Sequence, residues 1–435
     1  MLTTKYVRDN LDAIRGSLAK RQSDYPLERL LELDKEWRSL KTAVQELQAE
    51  RNKLSLEVSK LKKDGKTSEA DEIIRRLSET KKKIEEGEAK LASEEAEIEK
   101  ILWNMPNVLH ESVPYGKDDN DNAEVKKWGS TKKKGGQNHA DLLEKMGLIE
   151  LEQAAKVAGA RFFYLKGDIA LLEQSLIRFA IDELIKKGYT LIAPPLMLKK
   201  EYYRGVTAFG DFEEMLYKAA DPKEAEADSN IEHVSDELFM IATSEHPMAA
   251  MYAGKVLSAK ELPKKFVGIS PCFRREAGAH GKDTKGIFRV HHFYKVEQFI
   301  FSRQEDSWKM HEELLANSES LYQKMNIPYR VVNVCTGDIG TVAAKKYDIE
   351  AYMPAQGKYR EVVSCSNCTD WQALRLDIKY DEGNERKYVH TLNSTAIATN
   401  RTIVAIVENY ANDDGTITVP DVLVPYMGKD KIGKA

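Results

Sequence analysis

Phe273-Arg274-Arg275-Glu276-Ala277-Gly278, a Gly- and Lys-rich stretch, and then Phe288-Arg289-Val290-His291-His292-Phe293-Tyr294-Lys295-Val296-Glu297 read as a long antiparallel hairpin, because β-forming residues stand on both sides of a polar turn. Side chains along a strand alternate between faces. Parity therefore puts Arg274 and Glu276 on one face of the first strand and Arg275 on the other. In the second strand it groups Arg289, His291, Phe293 and Glu297. That surface offers cations for phosphate, a ring for stacking and two carboxylates, which suits a nucleotide and a cationic co-substrate. Taken alone, the stretch reads more readily as a charged, solvated hairpin. The rest of the chain has to decide.

At 435 residues there is room for more than one domain. The 66 basic and 70 acidic residues leave a net charge of −4, so no global basic field announces a nucleic-acid partner and such contacts must come from local clusters. No apolar run approaches the length of a membrane span, and Met1-Leu2-Thr3-Thr4-Lys5 has no signal-peptide core. The four cysteines, Cys272, Cys335, Cys365 and Cys368, are too scattered for a disulfide framework. A cytoplasmic protein is expected.

After a short helical lead-in, Leu27, Leu30, Leu33, Trp37, Leu40, Val44, Leu47, Leu54, Val58 and Leu61 recur in steps of three and four, with Arg51 breaking the seam. Lys62-Lys63-Asp64-Gly65-Lys66 reads as a turn. Ala70, Ile73, Leu77, Ile84, Leu91, Ile98 and Ile101 then mark a returning helix whose second seam looks poor at Thr80, Gly87 and Glu94. Two such helices make an antiparallel hairpin with arms of roughly 50 Å. Cations gather near its tip (Lys60, Lys62, Lys63, Lys66) and along the return (Arg75, Arg76, Lys81, Lys82, Lys83). They form either a solvated face or a track for a phosphate backbone.

Pro106 closes this domain, expected over residues 1–106, and residues 107 to about 138 read as linker or peripheral loops before a second domain, expected over 107–435. There the pattern predicts helices over Leu142–Ala158, Ile169–Lys187, Met248–Val256, Ser307–Met325 and Ala396–Tyr410. Strands are predicted at Arg161–Leu165, Tyr189–Ala193, Glu237–Ala242, Tyr329–Val334, Tyr359–Ser364 and Tyr388–Leu392. Strands joined without a regular βαβ rhythm imply an α+β fold, an antiparallel sheet flanked by helices.

Three signals now stand in order behind the helical arm. They are a helix-Gly-strand element ending at Pro195, the Arg-x-Glu hairpin at Arg274 and Glu276, and an element carrying Arg401. With Thr243-Ser244-Glu245, the string from Glu361 to Cys368, and Thr391-Leu392-Asn393 through Arg401, the chain resembles the seryl-tRNA synthetase family of class II aminoacyl-tRNA synthetases over essentially its whole length, in its archaeal or eukaryotic form. The resemblance implies activation of L-serine with ATP and Mg2+, transfer to tRNA(Ser) with tRNA(Sec) as a possible second acceptor, and a homodimer built around the Pro195 element. It makes Arg274, Glu276 and Arg401 the catalytic residues. Arg274 would grip the α-phosphate and the serine carboxylate, a bidentate task suited to guanidinium. Glu276 would read the adenine amino group, Phe293 would stack beneath the base, and Arg401 would cover its other face and reach the γ-phosphate. Arg275, Arg289, Val290, His291, His292, Val362 and Val363 complete the implied ATP contacts. Glu361 and Ser364 would supply oxygen ligands to Mg2+. Thr243, Ser244, Glu245, Glu297, Asn393 and Thr395, with Arg274, would hold serine; a buried carboxylate bonded to its hydroxyl rejects alanine, and pocket size must reject threonine.

The sequence departs from the family's pattern in places. Asn393 to Arg401 lacks the usual glycines, His292 stands where Gln is common, and His246 stands where Gln or an apolar residue is usual; neither histidine is expected to carry chemistry. Cys365-Ser-Asn-Cys368 has the spacing of half a zinc site with no second pair to complete it. Gly278-Ala-His-Gly281-Lys282 lacks the spacing of a phosphate loop and suits contact with the tRNA acceptor end. A relative that loads amino acids onto a carrier protein should lack the arm, and a catalytically dead scaffold should lack the charged site residues.

Overall fold

Two 37-residue helices, α1 (Leu27–Lys63) and α2 (Thr67–Trp103), run about 55 Å each and dominate the N-terminal unit. The computed structural model describes residues 3–131, 136–219, 237–276, 285–383 and 385–433, and the chain divides into two compact units between Pro106 and Asn107. The turn of the arm is only Asp64–Lys66, with Gly65 at φ +75. Lys62 and Lys63, expected in the turn, complete the last turn of α1, where their charge suits the negative end of the helix dipole.

The poor seam proves to be packing surface. Thr80 and Glu94 are buried, and a Cβ built on Gly87 would sit 2.6 Å from Val44 Cγ2. A two-helix seam is narrow, so a missing side chain lets the helices close rather than leaving a gap. At the base of the arm, buried Asp34 accepts from Arg8 (2.5 Å) and Arg38 (3.0 Å), tying the lead-in helix Thr4–Asp9 to α1. Burial alone would raise that carboxyl. Hydrogen bonds from Thr4 and Arg8, with the charges of Arg8 and Arg38, outweigh it and hold the group below its ordinary value.

The second unit is built on an eight-stranded sheet: β1 (Ala123–Trp128), β2 (Thr190–Ile192), β3 (Lys264–Phe273), β4 (His292–Ser302), β5 (Tyr329–Asn333), β6 (Lys345–Met353), β7 (Lys358–Asn367) and β8 (His390–Ala398), in the order β1-β5-β6-β7-β8-β4-β3-β2. Every pairing is antiparallel except β2 with β3. The helices α3 (Asp168–Lys186), α4 (Glu245–Ala250), α5 (Ser307–Lys324) and α6 (Thr399–Tyr410) accompany it. Phe179, Val296, Ile300, Leu314, Tyr322 and Ile406 belong to one continuous apolar core. The α+β class is as expected.

Several local expectations change. Residues 107–138 are not simply linker: Asn107 donates to Thr341 O (2.9 Å), and Ala123–Trp128 is an edge strand of the main sheet. Its exposed Glu and Lys residues hid the strand, since an edge strand needs little apolar surface. Gly147, at φ +69, helps break the expected Leu142–Ala158 helix into His139–Lys145 and Glu152–Ala158. Arg161 sits at φ +66, leaving only Tyr164–Leu165 of its strand. Helix α4 ends at Ala250, and Val256–Ser258 is a strand. Strand β6 was not anticipated, and β8 extends to Ala398, so α6 starts at Thr399 rather than Ala396.

The hairpin also shifts. Its first strand ends at Phe273, opposite His292, so Arg274, Arg275 and Glu276 lie beyond the ladder and Arg289 and His291 precede the second strand. Arg274 N–H still donates to His291 O (2.9 Å), but Glu276 turns away at φ +50. Face parity thus applies within the second strand, to Phe293 and Glu297, and not to Arg274, Arg275, Glu276, Arg289 and His291, which lie outside the ladder. The turn at Gly278–Lys282, including His280, lies outside the described residues.

Candidate active site

Strand β4 forms one side of a cavity of about 530 Å3 with Phe293, Lys295 and Glu297, alternate residues on one face. Asn393 and Thr395 of β8 continue the wall. From β7 come Glu361, Val362, Ser364 and Ser366. Glu361 and Ser364 are three apart and would face opposite ways in a regular strand. Here the β6–β7 register shifts, pairing Ile349 with Val363 but Glu350 with Glu361. Val362 is the extra residue of a bulge, which re-aims a side chain and puts both oxygen-bearing groups on the cavity. Thr243, Glu245 and His246, at the start of α4, close one end, and Arg401 of α6 lies on the wall.

Glu297 is buried with Lys295 Nζ 2.6 Å from its Oε2, and Thr395 Oγ1 donates weakly to the same oxygen (3.4 Å). Burial pushes the Glu297 carboxyl up against the pull of Lys295 and Arg274. Glu245 Oε1 accepts from Gln372 and Asn393 (both 3.1 Å); burial first, and the charge of Glu297 second, raise its carboxyl to about 7. Glu361 lies on the open cavity with its side chain 47% exposed; its partial desolvation is outweighed by Arg401, Lys346 and Arg274, which hold the carboxyl low, and Arg401 Nη1 lies 3.1 Å from its Oε1. Asp348, across from Ser364, is pushed up to about 7 by burial first, and its Oδ1 has no hydrogen-bond partner. His246 sits edge-on to Tyr203 and Phe212, and burial lowers it to about 3, so the imidazole is neutral.

Arg274 lies on the cavity with its Cζ 5.3 Å from the Phe293 ring centroid. With the β4, β7, β8 and α4 residues already named, it brings together most of the sequence-derived set. Ser244 and Val290 are packed in the interior off the wall, and Val363 alternates away from it into the core. Arg275 is exposed. Glu276 and Arg289 pair with each other (2.7 Å) off the cavity, His291 donates from Nδ1 to Arg274 O (2.7 Å), and His292 packs on Phe273. Cys365 contacts the backbone of His311 while Cys368 lies on the cavity. Sequence reading gave no role to Lys295, Gln372, Ser366, Val206–Ala208 or Ile339–Ala343. Lys295 was available from the period-two spacing between Phe293 and Glu297. Ser366 was available in the same way from its period-two spacing after Ser364, and the others come from segments that carried no signal.

An antiparallel sheet with arginines, an aromatic ring and acidic groups converging on one cavity fits the class II aminoacyl-tRNA synthetase core that the sequence resembles. Residues 228–410 match the family model of the tRNA synthetase class II core domain (G, H, P, S and T), and residues 1–109 that of the seryl-tRNA synthetase N-terminal domain. Serine–tRNA ligase of Thermococcus sibiricus is 49% identical over 99% of this chain and 97% of its own length, and that of Methanocella arvoryzae 47% over 98% and 99%. The structure of seryl-tRNA synthetase from Pyrococcus horikoshii complexed with ATP matches all of both chains at TM-score 0.91 and 45% identity. Cytoplasmic serine–tRNA ligase from Naegleria fowleri in complex with AMP matches at TM-score 0.85 and 36% identity, over 98% and 96%. The chain belongs to the seryl-tRNA synthetase family.

Proposed function

We propose that this chain is a serine–tRNA ligase that activates L-serine with ATP, releases pyrophosphate, and transfers the seryl group to the 3′ end of tRNA(Ser). The observation that supports the reading is that one cavity is lined by Phe293, Arg274 and Arg401, groups that suit a nucleotide, and by Glu245, Glu297 and Thr395, groups that suit a small zwitterion. A serine carboxylate oxygen attacks the α-phosphorus, and the bond to pyrophosphate breaks. Arg274 and Arg401 meet the phosphate oxygens, Phe293 carries the base, and Glu245 and Glu297 take the ammonium and the hydroxyl. The reaction asks little covalent work of the protein, so positioning and charge stabilisation dominate and no general base is assigned.

Glu361 and Ser364, both on the cavity wall, would hold Mg2+ through oxygen atoms, the donor type that suits this ion; Asp348, opposite Ser364 in the β6–β7 pairing, carries an unpartnered Oδ1. When bound, the ion neutralises phosphate charge. The adenine-reading role of Glu276 is supported by its place just beyond Arg274, and would need its pairing with Arg289 to open. A homodimer is supported by exposed Leu191, Leu196 and Met197 around Pro194-Pro195 and the edge strand β2, and light scattering is expected to give twice the chain mass. A reducing, cytoplasmic setting is supported by four free, buried cysteines; among the described residues no helix is long and apolar enough to cross a membrane. Charging assays with selenocysteine tRNA alongside tRNA(Ser) test whether it is a second acceptor.

The deciding experiment is serine-dependent exchange of pyrophosphate into ATP. Exchange with glycine or alanine but not serine would sink the specificity, and no exchange with any amino acid would leave only a scaffold. A pH dependence follows from Glu245. Its ionised form attracts the serine ammonium, and the protonated form does not. With the group titrating at about 7, the KM for serine at saturating ATP is expected to rise as pH falls through 7, approaching about tenfold per pH unit well below it. A KM that stays flat between pH 6 and 8 removes Glu245 from ammonium binding.

A further inference from the structure

Lys295 has no role in the scheme above, yet it is 6% exposed and lies on the cavity. Its ammonium carries three donors. One reaches Glu297 Oε2 at 2.6 Å, and Thr395 meets that same oxygen. Alternate residues of a strand are about 6.8 Å apart, so Phe293, Lys295 and Glu297 mark three successive stations along one face. With the base on Phe293 and the polar ends of serine at Glu297, the middle station lies under the junction of nucleotide and amino acid. The cross-strand neighbours of Lys295 are Ala398 and Ser270, small residues that leave space over the ammonium.

We propose that Lys295 is a further catalytic residue whose ammonium contacts a non-bridging oxygen of the α-phosphate during adenylate formation. The proposal rests on the serine–tRNA ligase reading. As the serine carboxylate oxygen bonds to the α-phosphorus, the bond to the leaving oxygen breaks and its electron pair departs with pyrophosphate. Lys295 keeps its proton throughout and balances the charge spread over the α-phosphate oxygens, while Arg274 supplies a second cation from beyond the strand end. The competing role is a counterion that does no more than offset the buried charge of Glu297.

Kinetics of pyrophosphate exchange in the full chain separate the two. Lys295→Met is expected to lower kcat at least about a hundredfold with the KM for serine within about threefold, the signature of an interaction made in the transition state. Lys295→Arg should recover at least about tenfold over the Met variant, because it restores a cation. A Met variant with kcat within about threefold and a serine KM raised more than about tenfold would overturn the proposal in favour of the counterion. Should the Met variant fail to fold, Lys295→Gln keeps a donor for Glu297 without the charge. The same hundredfold loss is expected of it, and a kcat within about threefold would overturn the proposal. Failure of the underlying reading is seen separately, as absence of serine-dependent exchange in the unaltered chain.

Discussion

Arg274→Lys is expected to lower serine-dependent pyrophosphate exchange about a thousandfold, although it preserves the charge. The guanidinium is anchored through Nε to Ala242 O (3.3 Å) and lies above the Phe293 ring, which leaves its terminal nitrogens as a planar fork. A fork can hold two oxygens of a phosphate or carboxylate at once, whereas an ammonium is a point charge on a flexible stem with nothing to pin it. The loss should therefore fall mainly in kcat, with a smaller rise in the KM for ATP. Steady-state exchange kinetics read both. A lysine variant within tenfold of the unaltered chain would remove Arg274 from bidentate contact and leave it as a general source of positive potential.

The second large effect concerns the arm. Replacing Lys35–Glu97 by a short Gly/Ser linker is expected to leave serine activation within about threefold and to lower charging of tRNA(Ser) more than about a hundredfold. Buried Val44, Leu54, Ala70 and Ile84 pack in the seam between α1 and α2, so the replacement takes away both sides of that seam together and keeps the paired base of the arm, with Leu30, Leu33, Ile98 and Leu102. Lys60, Lys62, Lys63, Arg75, Lys81 and Lys83 are exposed and make no ion pair among the described residues. Each cation that meets a phosphate releases counterions, so the KM for tRNA of the intact chain should climb steeply with salt while the KM for ATP and for serine moves little. Normal charging by the shortened chain would mean that the arm is not the tRNA-binding element.

Much of this architecture was legible because its signals are periodic or local. The arm declares itself by apolar residues in steps of three and four around a glycine-bearing turn. Phe293 and Glu297 share a face because strand parity is a period of two. The ordered signals behind that arm, at Pro195, at Arg274 and Glu276, and at Arg401, with the strings around Thr243 and Glu361, carried the resemblance to the family. What parity could not handle were the places where a strand stops or gains a residue. Arg274 and Glu276 were assigned to a strand face, but the ladder ends at Phe273, and the same reading placed Arg289 beside Phe293 when it pairs with Glu276 instead.

The polar gaps of the arm teach a related point. Thr80, Gly87 and Glu94 look like defects in a heptad pattern read one helix at a time. Only with the partner helix in place does Gly87 become the close approach to Val44. Local sequence reports the propensity of one element, whereas the depth of a seam depends on two.

The chain's own order of residues thus determined most of the elements, the family and the chemical types available: cations, a ring and carboxylates on a sheet. Tertiary structure alone decided which of them meet. The bulge at Val362 brings Glu361 to the side of Ser364, a change of face that depends on register with β6 and leaves no mark in the string itself. The elevation of Glu245 to about 7 depends on burial beside Glu297, a residue far along the chain. Gln372 reaches that carboxylate only because the helix Trp371–Leu376 packs nearby. Register, burial and long-range proximity are properties of pairs of segments, which is why one strand read by itself could name the groups of the site but not set their geometry.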